Sequence, residues 1–592
     1  MGGCFKLLAS VSLHFFSLYR LTVLFEFRPS AMADHFSGSR RRFLLALGVL
    51  GGGGAGLGVL SSSPLFDSKS APSELAPPES ATDVTSFDHR VSTIDELRSV
   101  APANGESAVV LGYHAPMDGG GGVFVFHSTA PREDVDGGLH IAPHTADDSS
   151  PGLWHRLTTS DAVNARWYGA EPDPSTNQAP AIRQAIRGAA ATTGRLHIPK
   201  GTYGVEGRIN LPSGLTMEGA GMGTTTLRVL PEASSIERTL QAVGATDAYV
   251  HDVTIRDLTV DGNRHRLTQI GDTEEEHSAI YLIYVENVLL ERVEAVNAQG
   301  AGFRIGAIKQ SDPARNVTLR DCRATGNFQN GVAPTLVDNF LMDGCYVAGT
   351  EFVVSVDFET HGPMDVKRNC TVRDCTFEGQ GVHWLGPSPN DPEQYRNLTV
   401  ENCTFLNAEL PLDVRDVCGC RIVNNTILRT DDSLESKPAI YVLPNADVPA
   451  QSVLISGNEI RDTTGTQSDA IYVGKTEGAI ITDNQIEGGR SGIRLVSGAQ
   501  HTRVSGNVVR NVAWHGIAGR FNIPYTRITN NFIIDDRTPP VLESGIFHSE
   551  NNQGFPVIVS QNVIRGAVRP VDLRASNAKA GTSWIVENNL TD

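Results

Sequence analysis

The segment VVSVDFETH, residues 353–361, puts Asp357, Glu359 and His361 on one face of an extended strand, because alternate side chains of a strand point the same way. Two residues of strand rise separate Asp357 from Glu359 by about 6.5–7 Å. That separation suits an inverting pair of carboxylates with a water between them. The same oxygens, with Asp413, also suit a Ca²⁺ ion, beside which a histidine or arginine would remove the proton next to a uronate carboxyl group. His383 in GVHWL is the proton-transfer candidate, and Arg304 and Arg415 are the planar cations suited to grip a carboxylate.

Those residues need a scaffold that brings distant strands side by side. Short segments of alternating apolar residues recur through the chain, among them AIYLI (279–283), GFRIG (302–306), VVSVDFE (353–359), GVHWL (381–385), PLDVRD (411–416), AIYVL (439–443), AIYV (470–473) and GIRLV (492–496). Their outward positions read Tyr281, Arg304, Ala333, Ser355, His383, Asp413, Tyr441, Tyr472 and Arg494, with Thr335, Asp357 and Arg415 two residues further along. Acids and histidine cluster centrally, with tyrosine and arginine flanking them. This is the composition of a sugar-binding groove, in which rings stack on pyranose faces and guanidinium groups bind acidic substituents. The plain alternative is a solvated ladder of surface charges.

A period of about 27 residues supplies the scaffold. From residue 253 onward the pattern apolar, any, apolar, any, any, Asn or Cys, any, apolar repeats, as in CTVRDCTF (370–377), VLISGNEI (453–460) and VIVSQNVI (557–564). Its sixth position falls at Leu258, Val293, Cys322, Cys345, Cys375, Cys403, Asn425, Asn458, Asn484, Asn507, Asn531, Asn562 and Asn588. Each unit has one face to bury and two open edges, both satisfied by stacking. The expected fold is all-β: a right-handed single-stranded parallel β-helix of about 12–13 coils. An Asn in the turn tolerates left-handed backbone angles, and its amide can bond the same residue one coil away. The cysteines of this column are expected to be small buried hydrophobes rather than disulfides. Cys370, Cys418 and Cys420 have no assigned role, and a lone CxC is weak as a metal motif.

Composition narrows the function classes. The chain has 592 residues, with 20% charged, 7% aromatic and 59 Gly, and a formal net charge of -18. Such an acidic chain argues against a nucleic-acid partner held by phosphate neutralisation. No twenty-residue apolar run follows residue 60, so no integral membrane domain is expected beyond the N-terminal signal.

Residues 1–60 read as a targeting region. SRRRFLL, Ser39 to Leu45, followed by a Gly-laden apolar stretch to Leu60, resembles a twin-arginine export signal with Arg40 and Arg41 as the pair. Met32 is an alternative start that would set this pair at a normal depth. Residues 61–88 read as a flexible linker, 89–160 as a small β-rich head and 161–592 as the β-helix. The acidic charge also fits a halophilic secreted protein.

The string from Trp167 to Gly221, with Gly169-Ala170, the helix around Ala181-Ile182 and Ala185-Ile186, the turn Ile198 to Tyr203 and Gly219-Ala220-Gly221, resembles the opening of the pectate-lyase-like β-helix superfamily. Within it, the match is to the rhamnogalacturonase/epimerase-like pectate lyase domains. Thr176 or Asn177 would cap a helix that closes the end of the core. Asn177-Gln178 stands where this group carries an acidic pair. GYHAPMDGGGGVFVF (112–126) looks like the small head that precedes this domain in secreted proteins and phage tail spikes, and its Asp118–Gly122 run reads as a turn. The NTD, DD, GHG and RIK strings of the polygalacturonase branch are missing in that order, and THG at 360–362 and RIG at 304–306 do not replace them.

The resemblance implies that substrate lies along the outward face of the first sheet. The resulting expectation is an exported protein acting on an acidic polysaccharide, leaning towards β-elimination at uronates. Asp357 and Glu359 are then cation or acid groups, His383 and Asp413 join them as catalytic candidates, and Arg304, Arg415, His361, Tyr441, Tyr472 and Arg494 bind substrate. A glycoside hydrolase using paired carboxylates and a non-catalytic glycan-binding solenoid remain the alternatives, and monomer or trimer is left open.

Overall fold

The structure is a computed structural model that describes residues 87–144, 150–231, 238–267, 277–308, 312–351, 354–359, 362, 364–385, 394–431, 434, 437–445, 449–462, 468–549, 556–574 and 584–592. The targeting region, almost all of the linker, and His361 lie outside the described residues.

The first described element is a five-stranded sheet built from His89–Val91, Ser107–Val110, Gly122–His127, Leu153–Leu157 and His140–Ile141, in that spatial order. Helix Ile94–Ser99 packs Ile94 and Leu97 onto Phe124 and Trp154 to make its own small core. The Asp118 carboxylate accepts backbone N–H groups from Tyr113, His114, Ala115 and Gly120, so the glycine run after it is a turn closed by its own acid.

Helix Ala179–Ala191 follows, with Ile182, Ala185, Ile186 and Ala189 buried against the end of the main core. The N-cap is Gln178, whose side chain makes no cap bond; Asn177, one residue before it, accepts the Ala179 N–H at 3.1 Å. Thr176 instead bonds Asp173.

Beyond it the chain winds as a right-handed parallel β-helix. One wall is a fourteen-stranded parallel sheet running from Ile209–Asn210 to Arg569–Leu573, and the other two walls form one continuous sheet bent at a corner. The strand count exceeds the expected coil number because coils opening at Ile209 and Leu240 precede the Asn and Cys repeats. One apolar column fills the interior from Val163 to Ile564.

The corner explains the repeat, with two adjustments. Asn425, Asn458, Asn484, Asn507, Asn531 and Asn562 are buried, and each side-chain oxygen from Asn458 onward accepts from the backbone and the amide of the Asn one coil earlier at 2.9–3.0 Å. The last member is Asn589, not Asn588. The left-handed angles belong to the residue before each ladder Asn: Asn424, Gly457, Asp483, Gly506, Asn530, Gln561 and Asn588 all have positive φ. Side chain and backbone thus divide the work, one residue turning the chain and the next bonding along the stack.

The ladder starts where the cysteines stop, since Asn425 accepts the N–H of Cys403 at 2.9 Å. Above it Cys375 Sγ accepts the N–H of Cys345 at 3.3 Å. Cys370 and Cys420 are also buried, and no disulfide forms among the described cysteines.

Candidate functional site

Register on the fourteen-stranded sheet fixes which outward side chains are neighbours. Tyr281 pairs with Arg304, Arg304 with Ala333, Asp357 with His383, His383 with Asp413, Asp413 with Tyr441, Tyr441 with Tyr472 and Tyr472 with Arg494. The pairing of Val332 with Val356 aligns Ala333 with Asp357, so Asp357 occupies the column and Ser355 does not. Strand Val354–Asp357 sits two residues later in register than its apolar alternation suggests. The consequence is a tighter site: Asp357, His383 and Asp413 stand on three successive rungs, each about 4.8 Å from the next.

Asp357 is recessed, only 6% exposed, whereas Glu359 lies past the strand end and is exposed. One Asp357 oxygen accepts from Asn330 Nδ2 at 3.4 Å, and the other, Oδ1, has no partner. Burial raises its pKa to about 7; the charge of Glu359 adds to this, and Lys367, Asn330 and Arg304 pull against it. A carboxylic acid in that range is still about half protonated near neutrality, where an ordinary aspartate is fully ionised.

Lys367 opens strand Lys367–Arg373 at an inward position, between Val337 and Tyr395 on the adjoining coils. It is fully buried, with its ammonium over the rings of Trp384 and Tyr395 at 4.9 and 4.4 Å. Nζ donates to the carbonyls of Phe358, at 2.9 Å, and Leu385. It therefore ties together the ends of the two strands that carry Asp357 and His383. Burial lowers its pKa to about 7, with the charge of Asp357 acting in the opposite sense. Apolar alternation alone does not single out Lys367; its signal is a lysine where the coils before and after it carry valine and tyrosine.

His383 is buried, with Nε2 3.0 Å from the carbonyl oxygen of Leu410. A carbonyl only accepts, so Nε2 carries the proton and Nδ1 the lone pair. Burial holds the pKa of the ring below its usual value, which keeps the imidazole neutral. Asp413 is buried beside it, and both of its oxygens accept from Arg415, at 3.0 Å from Nε and 2.9 Å from Nη2. That fork is why the Arg415 pKa is raised. Arg415 also donates Nη1 to Asn445 at 3.2 Å and lies 5.6 Å from the Tyr441 ring centre.

Tyr441 and Tyr472 stack with centroids 5.1 Å apart, an aromatic floor running from Asp413 towards Arg494. Arg494 is buried and paired with Asp469 at 3.0 Å. Arg304 is half-buried, with the small Ala333 between it and Asp357 in the column.

A Ca²⁺ site fits this arrangement poorly. Ca²⁺ takes six or more oxygens in most proteins. Asp357 turns one oxygen to Asn330, Glu359 lies beyond the strand, and both Asp413 oxygens already accept from Arg415. Among the described residues no three His, Cys, Asp or Glu side chains gather closely enough to hold an ion.

Three family models match the chain. The right handed beta helix region matches residues 242–427 and 412–590. The rhamnogalacturonase A/epimerase, pectate lyase-like model matches 162–252, which contains the Trp167–Gly221 string. The phage tail protein small four-stranded beta-sheet domain matches 90–160. The chain is 32% identical over 192 residues to mannuronan C5-epimerase AlgE3 of Azotobacter vinelandii, covering 30% of this chain and 10% of that protein. It is 29% identical over 185 residues to alginate lyase 7 of the same organism, covering 28% of this chain and 20% of that protein. The chain thus spans a fifth or less of these curated relatives. Among solved structures, the N-terminal fragment of bacteriophage phi29 gene product 12 superposes with a TM-score of 0.47 at 17% identity, over 71% of this chain and 80% of that one.

Proposed function

Given that the chain belongs to the right-handed β-helix family, whose fold hosts many chemistries, we propose that it acts on an acidic polysaccharide by removing the C5 proton of a uronate residue, with β-elimination as the outcome. The observation that carries this reading is the pair on adjacent rungs: a buried carboxyl held towards its protonated form, Asp357, beside an imidazole whose Nε2–H is given to a carbonyl and whose lone pair is on Nδ1, His383.

In this reading His383 Nδ1 takes the C5 proton and becomes imidazolium. The C–H electron pair moves towards the carboxyl group, giving an enolate, and Arg304 supports the charge that builds there. The C4–O bond then breaks, its electrons leave with oxygen, and Asp357 gives that oxygen a proton, leaving a C4–C5 double bond and two shorter chains. Asp413 acts through Arg415, holding the guanidinium at the groove wall. No step passes through a metal ion.

The names of the two curated relatives, a C5-epimerase and an alginate lyase, support the substrate class, because both reactions begin with loss of the same proton. Epimerisation differs only in that the proton returns to the opposite face and the C4–O bond survives. The buried thiols of Cys322, Cys345, Cys370, Cys375, Cys403 and Cys420 fit a chain that folds in a reducing compartment and is exported folded, as a twin-arginine signal at Arg40 and Arg41 would require.

The test is incubation with a panel of uronate polymers. New ultraviolet absorbance from unsaturated ends supports the lyase. Solvent deuterium entering C5 without cleavage makes it an epimerase, and reducing ends without absorbance make it a hydrolase. Binding with no chemistry on any polymer makes it an adhesion solenoid and overturns the catalytic reading.

A further inference from the structure

Past the tyrosine floor, the same column runs from Arg494 to Ala518, Phe547 and Asp572. Ala518, the smallest side chain in the column between Asp357 and Asp572, is fully buried between Arg494 and Phe547. Trp514 stands beside it. Its ring lies 4.3, 5.6 and 5.2 Å from the guanidinium carbons of Arg490, Arg494 and Arg520. His515 stacks between Trp514 and Phe547, 4.3 Å from each.

The polar atoms here are under-satisfied. Arg494 is 7% exposed; Nη1 meets Asp469, while Nε and Nη2 have no acceptor. Both ring nitrogens of the buried His515, and Oδ1 of Asp469, are also without partners. Buried N–H groups left unbonded cost free energy, and such a cluster on the outward face of a groove calls for an acceptor from outside the protein. Three arginines converge on this indole, against the carboxylates of Asp469, paired with Arg494, and Glu543, which accepts the Trp514 indole N–H.

We propose that Arg494, with Arg490 and Arg520 gathered around Trp514, forms a second subsite that binds the carboxylate of an acidic sugar. It lies four rungs from His383, roughly 19 Å along the groove. The Nε and Nη2 edge of the Arg494 guanidinium meets the two carboxylate oxygens, while Nη1 stays on Asp469. The assignment rests on the polysaccharide reading of the groove. It deepens that reading by fixing where a second acidic residue of the bound chain is held and by requiring a substrate long enough to reach it.

The test is calorimetric titration of the whole chain with long uronate oligomers, the same oligomers after reduction of their carboxyl groups, and sulfated neutral oligomers. The wild type is expected to bind the uronate oligomers and to lose at least about tenfold in affinity when the carboxyl groups are reduced. Arg494→Gln and Arg520→Gln are each expected to weaken uronate binding by roughly tenfold to a hundredfold and to leave binding of the reduced oligomers nearly unchanged. Arg520 is half-exposed, so its variant keeps the test open should Arg494→Gln melt early. Equal binding of uronate oligomers by folded variants and wild type overturns the subsite, even if the protein cleaves uronates. Equal binding of sulfated and uronate oligomers overturns the carboxylate assignment. Arginine-dependent uronate binding without any turnover supports the subsite while removing the catalytic reading.

Discussion

Asp357 and His383 are register partners on adjacent strands, and Lys367, from inside the coil, donates to the carbonyls of Phe358 and Leu385 just beyond them. Acid and base are thus held by one buried cation that neither of them contacts through the groove.

Asp357→Asn should cost activity by about 10²–10⁴ in kcat, because an amide cannot give a proton to the leaving oxygen. The same change should stabilise the fold above neutrality. Burial raises the folded pKa of Asp357 from 3.8 to about 7, so the folded state keeps a proton that the unfolded chain loses across that window. Stability from this group therefore falls as pH rises from 3.8 to about 7 and stays low above it. At pH 8 the variant should melt at least about 2 °C above the wild type, and at pH 3.5 the difference should vanish. Thermal melts at the two pH values check this.

The alkaline limb of kcat/KM should lie near pH 7, where Asp357 loses its proton. Lys367 titrates in the same range and lowers the pKa of Asp357, so the limb belongs to both groups. Lys367→Met removes that charge, and the limb should move to higher pH as kcat falls. A purely structural lysine would lower kcat and leave the limb in place.

His383→Gln should lower kcat by about 10²–10⁴ with little change in KM, since the ring meets substrate as a base rather than as a binding surface. Single-turnover rates with deuterium at C5 should show the isotope effect of proton removal in the wild type.

Tyr472→Ala should remove the stacked partner of Tyr441 and weaken oligomer binding by about 0.5–1.5 kcal/mol, with kcat on saturating polymer nearly unchanged. Titration with oligomers of increasing length checks this. The loss should appear only once the chain spans the tyrosine floor.

Asn507→Ala should destabilise the fold by roughly 2–4 kcal/mol. It strips the side-chain acceptor from Asn484 and the donor to Ile481 and Asn531 in a site with no access to water. Asn397→Gly, in an exposed turn where the amide bonds only Asn369, should cost less than about 1 kcal/mol. Chemical unfolding of the two variants makes the comparison.

Most of the architecture was legible because stacking demands a repeat that the residues spell out in apolar alternation and in one Asn or Cys per coil. The placing of His383, Asp413, Tyr441, Tyr472 and Arg494 in one column followed from that alternation alone. The alternation alone puts Asp357 in the groove but two residues off the column, because VVSVDFE alternates over a longer stretch than the strand that forms and only neighbouring coils decide its register. Asn588 and Asn589 were confused for a related reason: adjacent asparagines fill a turning role and a bonding role that composition cannot separate. Lys367 was hidden because its function depends on facing inward, and Arg415 looked available for substrate because its pairing with Asp413 depends on rotamers.

The corner ladder holds its spacing while unequal lengths of chain leave the coils elsewhere, so the distance between neighbouring groove residues is set by the stack and not by the loops. A whole coil could be spliced in or out between Tyr441 and Tyr472 like a cassette. Such an edit would change how many sugars the trough measures without touching the rung where bonds break.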